Sequence, residues 1–136
     1  MNIEVRYLSK SGNTKKIAEA IAEEVGVSAK PITQSVPAGT DILFLGGAVY
    51  AFGIDEELKQ FIADLNPSDI GKVAVFSTTA VVKSAYPHVK KELDARGLSS
   101  FDKSFNSRGA FKFMHKGRPN AGDIAGAKAF ARAIIG

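Results

Sequence analysis

The sequence predicts an α/β fold of three layers, in which a five-stranded parallel sheet of order 2-1-3-4-5 lies between helices on both faces. Two observations support this prediction. Short apolar runs alternate along the chain with amphipathic helical stripes, and the runs at residues 42–45 and 73–76 are apolar at every position. A continuous apolar run is typical of a strand buried on both faces, and right-handed crossovers between such strands favour the stated order.

The first 45 residues of the chain contain three predicted strands and one helix. Residues 3–8 alternate apolar and charged side chains, as a strand does, and residues 15–25 place apolar side chains at helical spacing before Gly26, a residue that often ends helices. Strands over residues 28–32 and 41–45 follow. Because the eight residues between them are few for a parallel crossover, we expect residues 33–40 to form a loop or a single helical turn.

The rest of the chain continues the alternation of strands and helices. Pro87 and Gly97 mark the start and the end of one helix, and Asn120, followed three residues later by Asp123, predicts a capped start for the last helix. The predicted elements are a helical stripe over residues 54–65, a strand over 73–76, a helix over 86–96, a weaker strand over 101–105 and a helix over 120–135.

Length and composition limit the class of protein. A chain of 136 residues with 45% hydrophobic and 24% charged side chains is expected to form one globular domain over residues 1–136. It has no cysteine, which excludes disulfides, thiolate metal sites and cysteine nucleophiles. Charges interrupt the N-terminal apolar residues, unlike in a signal peptide, and no apolar run approaches the ~20 residues of a membrane helix. We therefore expect a cytoplasmic protein with no membrane contact.

The turn between the first strand and the first helix has the clearest chemistry. In sheets of this order, ligands bind beyond the carboxyl ends of the strands, where the order reverses. A helix start offers unpaired N–H groups and a positive dipole end to a phosphate, and hydroxyl side chains add donors. An ordinary N-cap needs one such side chain, whereas this turn has four Ser, Asn or Thr residues within six positions. The predicted phosphate-binding residues are Ser9, Lys10, Ser11, Gly12, Asn13 and Thr14, of which Lys10 adds charge and Gly12 allows close approach of the backbone.

These residues resemble the phosphate loop of the flavodoxin family, [ST]-x-[ST]-G-x-T, which Ser9, Ser11, Gly12 and Thr14 match. Later segments are similar to the family as well. Residues 45–50 resemble the end of the strand at the family's first flavin loop, and residues 76–79 resemble the end of the strand at its second flavin loop. Residues 105–111 and 116–120 resemble the C-terminal end of bacterial flavodoxin-like proteins. The resemblance covers the whole chain, and the phosphate loop is its specific part.

The resemblance implies a flavodoxin-like fold with FMN as the cofactor, its phosphate on residues 9–14 and its ring between residues 48–53 and 78–82. Tyr50 and Phe52 are then the candidates to stack on the ring, and Gly53 is the residue that can change backbone conformation at low cost. No metal site and no catalytic residue are expected, and His88 and His115 are predicted to be surface residues. The implied flavin-binding residues are Ala48, Val49, Tyr50, Ala51, Phe52, Gly53, Thr78, Thr79, Ala80 and Val81.

The chain departs from the long-studied flavodoxins in charge and in aromatic residues. Those proteins are acidic, with a Trp in the first flavin loop and a Tyr with acidic residues in the second. This chain has a net charge of +4 and no Trp, and residues 77–83 contain neither an aromatic residue nor a carboxylate. Fewer carboxylates near the ring imply that the anionic reduced flavin is less disfavoured. A ring face covered by small residues would also be open to a substrate.

We expect an electron carrier rather than a stand-alone oxidoreductase, with a redox protein, of acidic character, as its partner. Two alternatives stay open: a small FMN-dependent reductase or oxidase that resembles menaquinone-dependent protoporphyrinogen oxidase, and a degenerate flavodoxin fold without cofactor. A receiver domain needs an aspartate at the end of the third strand, where this chain has Leu45-Gly46-Gly47. Relatives of arsenate reductase or of phosphatases need a cysteine, which the chain lacks.

The positive charge is concentrated in the C-terminal part of the chain. Residues 83–136 have 11 Lys or Arg against 4 Asp or Glu, a net charge of +7, whereas residues 1–82 have 7 against 10. Within it, basic residues alternate with Phe111 and Phe113. We expect an edge strand and loop whose charges deter aggregation rather than a nucleic-acid site. The basic residues of this stretch are Arg108, Lys112, His115, Lys116 and Arg118.

If this basic half recruits an acidic redox partner, electron transfer is expected to slow with added salt, because exposed charges are screened over about 8–10 Å at physiological ionic strength. Reversing Arg108, Lys112 and Lys116 to glutamate then lowers the association rate and leaves FMN affinity nearly unchanged. Stopped-flow transfer to an acidic acceptor such as a ferredoxin, at low and high salt, measures this. Loss of Lys10 is the contrasting control, since it is expected to weaken FMN binding first. A flat salt response would make the basic half a solvated surface.

Overall fold

The strands form one twisted sheet whose order agrees with the sequence prediction. A computed structural model describes residues 1–50, 53–79, 86–108 and 117–136, and for Val49, Tyr50 and Arg108 it describes the backbone alone. The strands are β1 (Ile3–Tyr7), β2 (Ala29–Pro31), β3 (Thr40–Tyr50), β4 (Gly53–Ile54), β5 (Ile70–Thr79) and β6 (Ser100–Arg108). Five of them are parallel in the order β2-β1-β3-β5-β6, and β4 pairs antiparallel with the end of β3. Counted without β4, this is the predicted order 2-1-3-4-5.

Helices cover both faces of the sheet, as predicted. The helices are α1 (Asn13–Val25), α2 (Glu56–Asp64), α3 (Tyr86–Arg96) and α4 (Ala121–Ile135), with a 3₁₀ turn at Pro67–Asp69. α1 and α4 pack against each other on one face, and α2 and α3 do so on the other. None of the helices that the structure describes has the length and apolarity of a membrane-spanning segment.

The core consists of two apolar layers that share the central strands. In β3, Ile42 and Phe44 belong to the layer beneath α1 and α4, whereas Leu43 and Leu45 belong to the layer beneath α2 and α3. β5 repeats this alternation over residues 73–76. Since successive side chains of a strand point to opposite faces, a strand in this position must be apolar at every residue. This explains the two continuous apolar runs of the sequence.

Two glycines lie within β3, so the predicted end of this strand at residue 45 was wrong. A Cβ on Gly46 would lie 2.0 Å from Cε2 of Phe76, and a Cβ on Gly47 would lie 2.6 Å from Cδ2 of Leu58. The glycines are therefore strand residues whose missing side chains make room for a ring and a leucine. β5 and β6 also extend beyond their predicted ends.

The helical stripe predicted from residue 54 begins too early. Ile54 lies in β4, and α2 begins at Glu56 after Asp55, whose side chain caps the helix by accepting a hydrogen bond from the Glu57 N–H at 2.9 Å. Leu65 lies just after the helix. Apolar spacing alone did not reveal this boundary, because Ile54 is buried with the helical residues in the same apolar layer.

Other helix ends agree with the sequence. α3 has its predicted bounds, and Gly26 ends α1 in the left-handed conformation with φ 77°. Asn120 and Asp123 form the predicted capping box, since each side chain accepts a hydrogen bond from the other residue's backbone N–H. Local capping chemistry therefore identified these ends correctly.

The crossover from β2 to β3 is a loop fastened by a buried arginine. Residues 33–39 form no helix, which confirms the prediction. Arg6 of β1 is 1% exposed, and its guanidinium donates to the carbonyl oxygens of Gln34 at 3.0 Å and Ser35 at 2.6 Å. Its Nη1 also lies 2.8 Å from Oε1 of Glu4. The carbonyl groups of Gln34 and Ser35 in this loop thus accept hydrogen bonds from a side chain of the protein.

Replacing this guanidinium is expected to destabilise the fold. Arg6→Met keeps an aliphatic chain but leaves the carbonyls of Gln34 and Ser35 without their donor. We expect the free energy of unfolding to fall by about 2–4 kcal/mol, measured by urea denaturation. Lys30→Met, at an exposed position of the neighbouring strand, is the control and should change it by less than about 0.5 kcal/mol. An equally small effect of Arg6→Met would contradict a fastening role.

Candidate functional site

The carboxyl ends of β1, β3, β5 and β6 meet at one edge of the sheet, and those predicted site residues that the structure describes belong to this edge. Tyr7 at the end of β1 pairs with Gly46, and Ala48 near the end of β3 pairs with Thr78 of β5. The strand order reverses between β1 and β3. The fold therefore brings together the turn after β1 and the ends of β3 and β5, at the place where ligands bind in sheets of this kind.

The predicted phosphate loop is a tight turn that is bonded to the sheet. Just before it, the Leu8 N–H donates to the carbonyl oxygen of Gly46 at 3.0 Å. Inside it, the Gly12 N–H donates to Oγ of Ser9 at 3.0 Å. Ser11 is exposed, and Ser9 is half-buried. The backbone of the turn is thus held by both the sheet and the loop's own hydroxyl group.

Gly12 is the N-cap of α1 and gives this helix an unusual start. Its φ of 92° is in the left-handed region, and as a glycine it has no side chain to accept from the first N–H groups. No acidic residue lies in the first turn of α1, whereas Asp55 caps α2 and Asp123 lies in the first turn of α4. The positive end of α1 is therefore not neutralised by a carboxylate of its own first turn.

The surroundings of Gly12 fit a phosphate group. A Cβ on Gly12 would have no atom within 4 Å, so the space there is open. The side chains of the loop supply hydroxyl and amide donors, and the helix end supplies positive potential, which together suit an oxyanion. Among the described residues, no group of three or more His, Cys, Asp or Glu side chains is placed to hold a metal ion.

Thr14 joins the predicted phosphate loop to the end of β5. Its side chain is buried, with 1% of the residue exposed, and its Oγ1 lies 2.7 Å from Oγ1 of Thr78. One hydroxyl donates to the other, and the accepting hydroxyl keeps its own hydrogen for a further acceptor. Two segments that the sequence assigned to different parts of the ligand are thus in direct contact.

Polar side chains are buried at the ends of β5 and β6. Ser77 is fully buried, and its Oγ donates to Oδ1 of Asn106 at 2.9 Å. Thr79 and Ser107 are each 3% exposed. The sequence predicted Thr78 and Thr79 as site residues, but not Ser77, Ser107 or Asn106. The available signal was that β5 changes from an apolar run to Ser and Thr at this edge, while β6 has Asn and Ser directly after Phe105.

The end of β3 turns back through β4. Val49 pairs with Ile54, and Tyr50 pairs with Gly53, whose φ is 110°. A Cβ on Gly53 would lie 3.5 Å from Nδ1 of His88. His88 is exposed, as predicted, but it lies beside the segment predicted to bind the flavin ring.

Part of the predicted site lies outside the described residues. The contacts of Tyr50 and Phe52 with a ring therefore stay a prediction, as do those of the second loop beyond Thr79. The predicted site residues concerned are Ala51, Phe52, Ala80 and Val81, with the side chains of Val49 and Tyr50. The same holds for Phe111, Lys112, Phe113, His115, Lys116 and the side chain of Arg108 in the basic stretch.

Lys10 contacts carboxylates from another part of the chain. Its Nζ lies 3.0 Å from Oδ2 of Asp55 and 3.6 Å from Oε1 of Glu57. The hydrogen bond from the Glu57 N–H, and after it the one from Lys10, lower the pKa of Asp55 below its ordinary value. The charge that the sequence assigned to the phosphate is thus engaged with the start of α2.

Several basic residues of the C-terminal half form ion pairs within the protein. Arg118 donates to both carboxylate oxygens of Asp123, at 2.5 and 2.7 Å, and this pair is the main reason that the pKa of Asp123 lies below its ordinary value. Lys128 pairs with Glu23 at 3.1 Å, and Arg132 pairs with Glu24, so α4 is linked to α1. Part of the positive charge counted in the sequence is therefore neutralised locally.

Comparisons with known proteins agree with this geometry. The family described as Flavodoxin domain matches residues 5–115. An uncharacterized protein of Methanocaldococcus jannaschii is 26% identical over 136 aligned positions, which cover 90% of each chain.

Solved structures show the same fold. A flavodoxin from the domain Archaea superposes with a TM-score of 0.81 at 19% identity, over 98% of this chain and 96% of that one. A short-chain flavodoxin associated with a non-canonical PDU bacterial microcompartment gives 0.75 at 19% identity, over 99% and 97%.

The chain belongs to the flavodoxin family. Membership implies FMN as the cofactor, and the open, positive start of α1 fits its phosphate. The resemblance inferred from residues 9–14 is thereby confirmed, whereas the assignment of individual residues to the cofactor stays a prediction.

The buried pair of hydroxyls is expected to behave as a coupled unit. Thr14→Val leaves the Thr78 hydroxyl without its partner, so the free energy of unfolding of the ligand-free protein should fall by about 1–3 kcal/mol, and Thr78→Val should have a similar effect. The double variant should lose less than the two single losses together, because no hydroxyl is left unpaired. Urea denaturation of the four proteins forms the test. Additive losses would show that the two hydroxyls do not depend on each other.

Proposed function

We propose that this protein is an electron carrier that holds FMN with its phosphate at the amino end of α1. The observation that supports this most is the start of α1 itself. It is capped by a glycine, has no carboxylate in its first turn and lies where the strand order reverses. An anion placed there meets backbone N–H groups and positive potential without competition from an acidic side chain of that turn.

Five of the six loop residues, all except Lys10, have a proposed role at the phosphate. Gly12 permits the left-handed turn and leaves open space, while Ser11, Asn13 and Thr14 donate to phosphate oxygens. Ser9 supports the loop through the Gly12 N–H. The ring is proposed to lie between the two flavin loops, in contact with Ala48, Val49, Tyr50, Ala51, Phe52, Gly53, Thr78, Thr79, Ala80 and Val81.

The buried polar side chains at this edge favour carrier activity over catalysis on a small substrate. FMN supplies the redox chemistry, since it accepts and releases one or two electrons. Thr14, Ser77, Thr78 and Asn106 are hydroxyl and amide groups, which bind and orient but do not exchange protons near neutral pH. We propose a redox protein as the partner, of acidic character if the basic C-terminal residues take part in docking.

A carrier and an enzyme differ in whether the isolated protein turns over a small substrate. The reduced, FMN-loaded protein is expected to pass its electrons to a redox protein and to give no sustained turnover of a quinone in the absence of a partner. Sustained turnover of a quinone by the isolated protein, followed by absorbance, would contradict the carrier proposal and favour the reductase alternative.

The phosphate should dominate recognition of the cofactor. We expect FMN to bind at least about tenfold more tightly than riboflavin, since one hydrogen bond to a charged group contributes roughly 1.5–3 kcal/mol. Quenching of flavin fluorescence on titration measures both affinities. Ser11→Ala should weaken FMN binding and leave riboflavin binding unchanged, whereas Ser99→Ala, at an exposed position outside the predicted site, should affect neither. Equal affinities for the two flavins would refute the phosphate site.

A further inference from the structure

Lys10 links two segments of the proposed site that are far apart in sequence. It belongs to the turn after β1, and its Nζ lies 3.0 Å from Oδ2 of Asp55 and 3.6 Å from Oε1 of Glu57. Asp55 directly follows β4, which returns from the first flavin loop and pairs with the end of β3. The ion pair thus joins the phosphate loop to the hairpin of β3 and β4.

Asp55 is well placed to hold this link. Its Oδ1 accepts from the Glu57 N–H at 2.9 Å, so the carboxylate is fixed at the start of α2 while Oδ2 meets Lys10. Its side chain is 18% exposed, and its pKa is lowered first by that N–H and then by Lys10, which keeps it charged. Gly53, two residues earlier, has φ 110°, a conformation that only glycine adopts readily.

The charges around Lys10 argue against a direct role on the phosphate. Its single positive charge lies against two carboxylates, those of Asp55 and Glu57. Two nearby negative charges weaken the attraction of Lys10 for a phosphate dianion. The start of α1, which lacks acidic residues, provides the positive potential instead.

We propose that Lys10 is a positioning residue that clasps the phosphate loop to the β3–β4 hairpin and thereby slows the release of FMN. This inference rests on the proposed function, because it assumes that the cofactor contacts both of these segments. The Lys10 side chain is 56% exposed, so the clasp adds little to global stability. It limits the relative movement of two segments that both contact the cofactor in the proposed site.

Asp55→Asn distinguishes a clasp from direct binding of the phosphate by Lys10, because the two roles predict opposite effects on how tightly FMN is held. Asparagine caps a helix as well as aspartate does, so α2 keeps its start and only the charge is lost. If Lys10 is a clasp, FMN release from this variant should be about two- to fivefold faster than from the wild type, the range expected for an exposed ion pair. If Lys10 binds the phosphate directly, the same variant should hold FMN more tightly, because a nearby negative charge is removed and Lys10 is released.

Glu56→Gln is the matched control. It removes the same charge from the same turn of α2, but Glu56 pairs with Lys59 at 3.4 Å and not with Lys10. Stopped-flow displacement of FMN should show release from this variant unchanged or slightly slower. Faster release from both variants would overturn the clasp, since the effect would then not depend on the Lys10 contact.

Lys10→Met and the double variant Lys10→Met/Asp55→Asn complete a double-mutant cycle with Asp55→Asn. Under the proposal, Lys10→Met accelerates release to the same extent as Asp55→Asn, and the double variant releases FMN no faster than either single variant. The differences from wild type should shrink at high salt, because the pair is exposed. Additive effects of the two substitutions would overturn the proposal.

Hydrogen exchange on the ligand-free chain distinguishes failure of the clasp from failure of the proposed function. Lys10→Met should accelerate exchange of the backbone amides of residues 53–55 severalfold, because the hairpin opens more often. Identical exchange in variant and wild type would overturn the clasp. Absence of FMN binding by the wild type, with the exchange difference present, would refute the proposed function and leave the link itself established.

Discussion

Burial of β3 on both faces is the constraint on which the rest of this structure depends. Because Phe44 faces one helical layer and Leu45 the other, neither face of the strand is available to solvent. β1 and β5 must then flank β3, and because all three strands are parallel, their carboxyl ends lie at the same edge of the sheet. The position of every described site residue, from Ser9 to Thr79, follows from this arrangement of three neighbouring strands.

The sequence predicted the topology well because burial on two faces leaves a pattern that can be read directly. It predicted the element ends less well where a residue's role depends on a distant neighbour. Gly46 interrupts an apolar run, yet it continues the strand because the ring of Phe76 fills the space over it. Ile54 has helical spacing but belongs to β4, and only the cap on Asp55 marks where α2 begins.

The candidate site was predictable to the extent that its chemistry is local. Ser9, Gly12 and their neighbours form a contiguous motif, and the structure places them at the amino end of a helix, as expected. The contact of Lys10 with Asp55 and that of Thr14 with Thr78 join segments distant in sequence, and no local pattern announces such pairs. For the same reason, the count of charges along the chain did not show which of them pair in the fold. Lys128 of α4, for example, pairs with Glu23 of α1.

The shortness of β2 has a consequence for self-association. This outer strand has three residues, of which Lys30 and Pro31 are exposed. Proline offers no N–H to an incoming strand, and lysine opposes close approach of a like-charged copy. A sheet that stopped in a long, regular outer strand would present a template for intermolecular β-pairing. β2 instead opposes such pairing because it is short, because Pro31 has no N–H to donate and because Lys30 is charged.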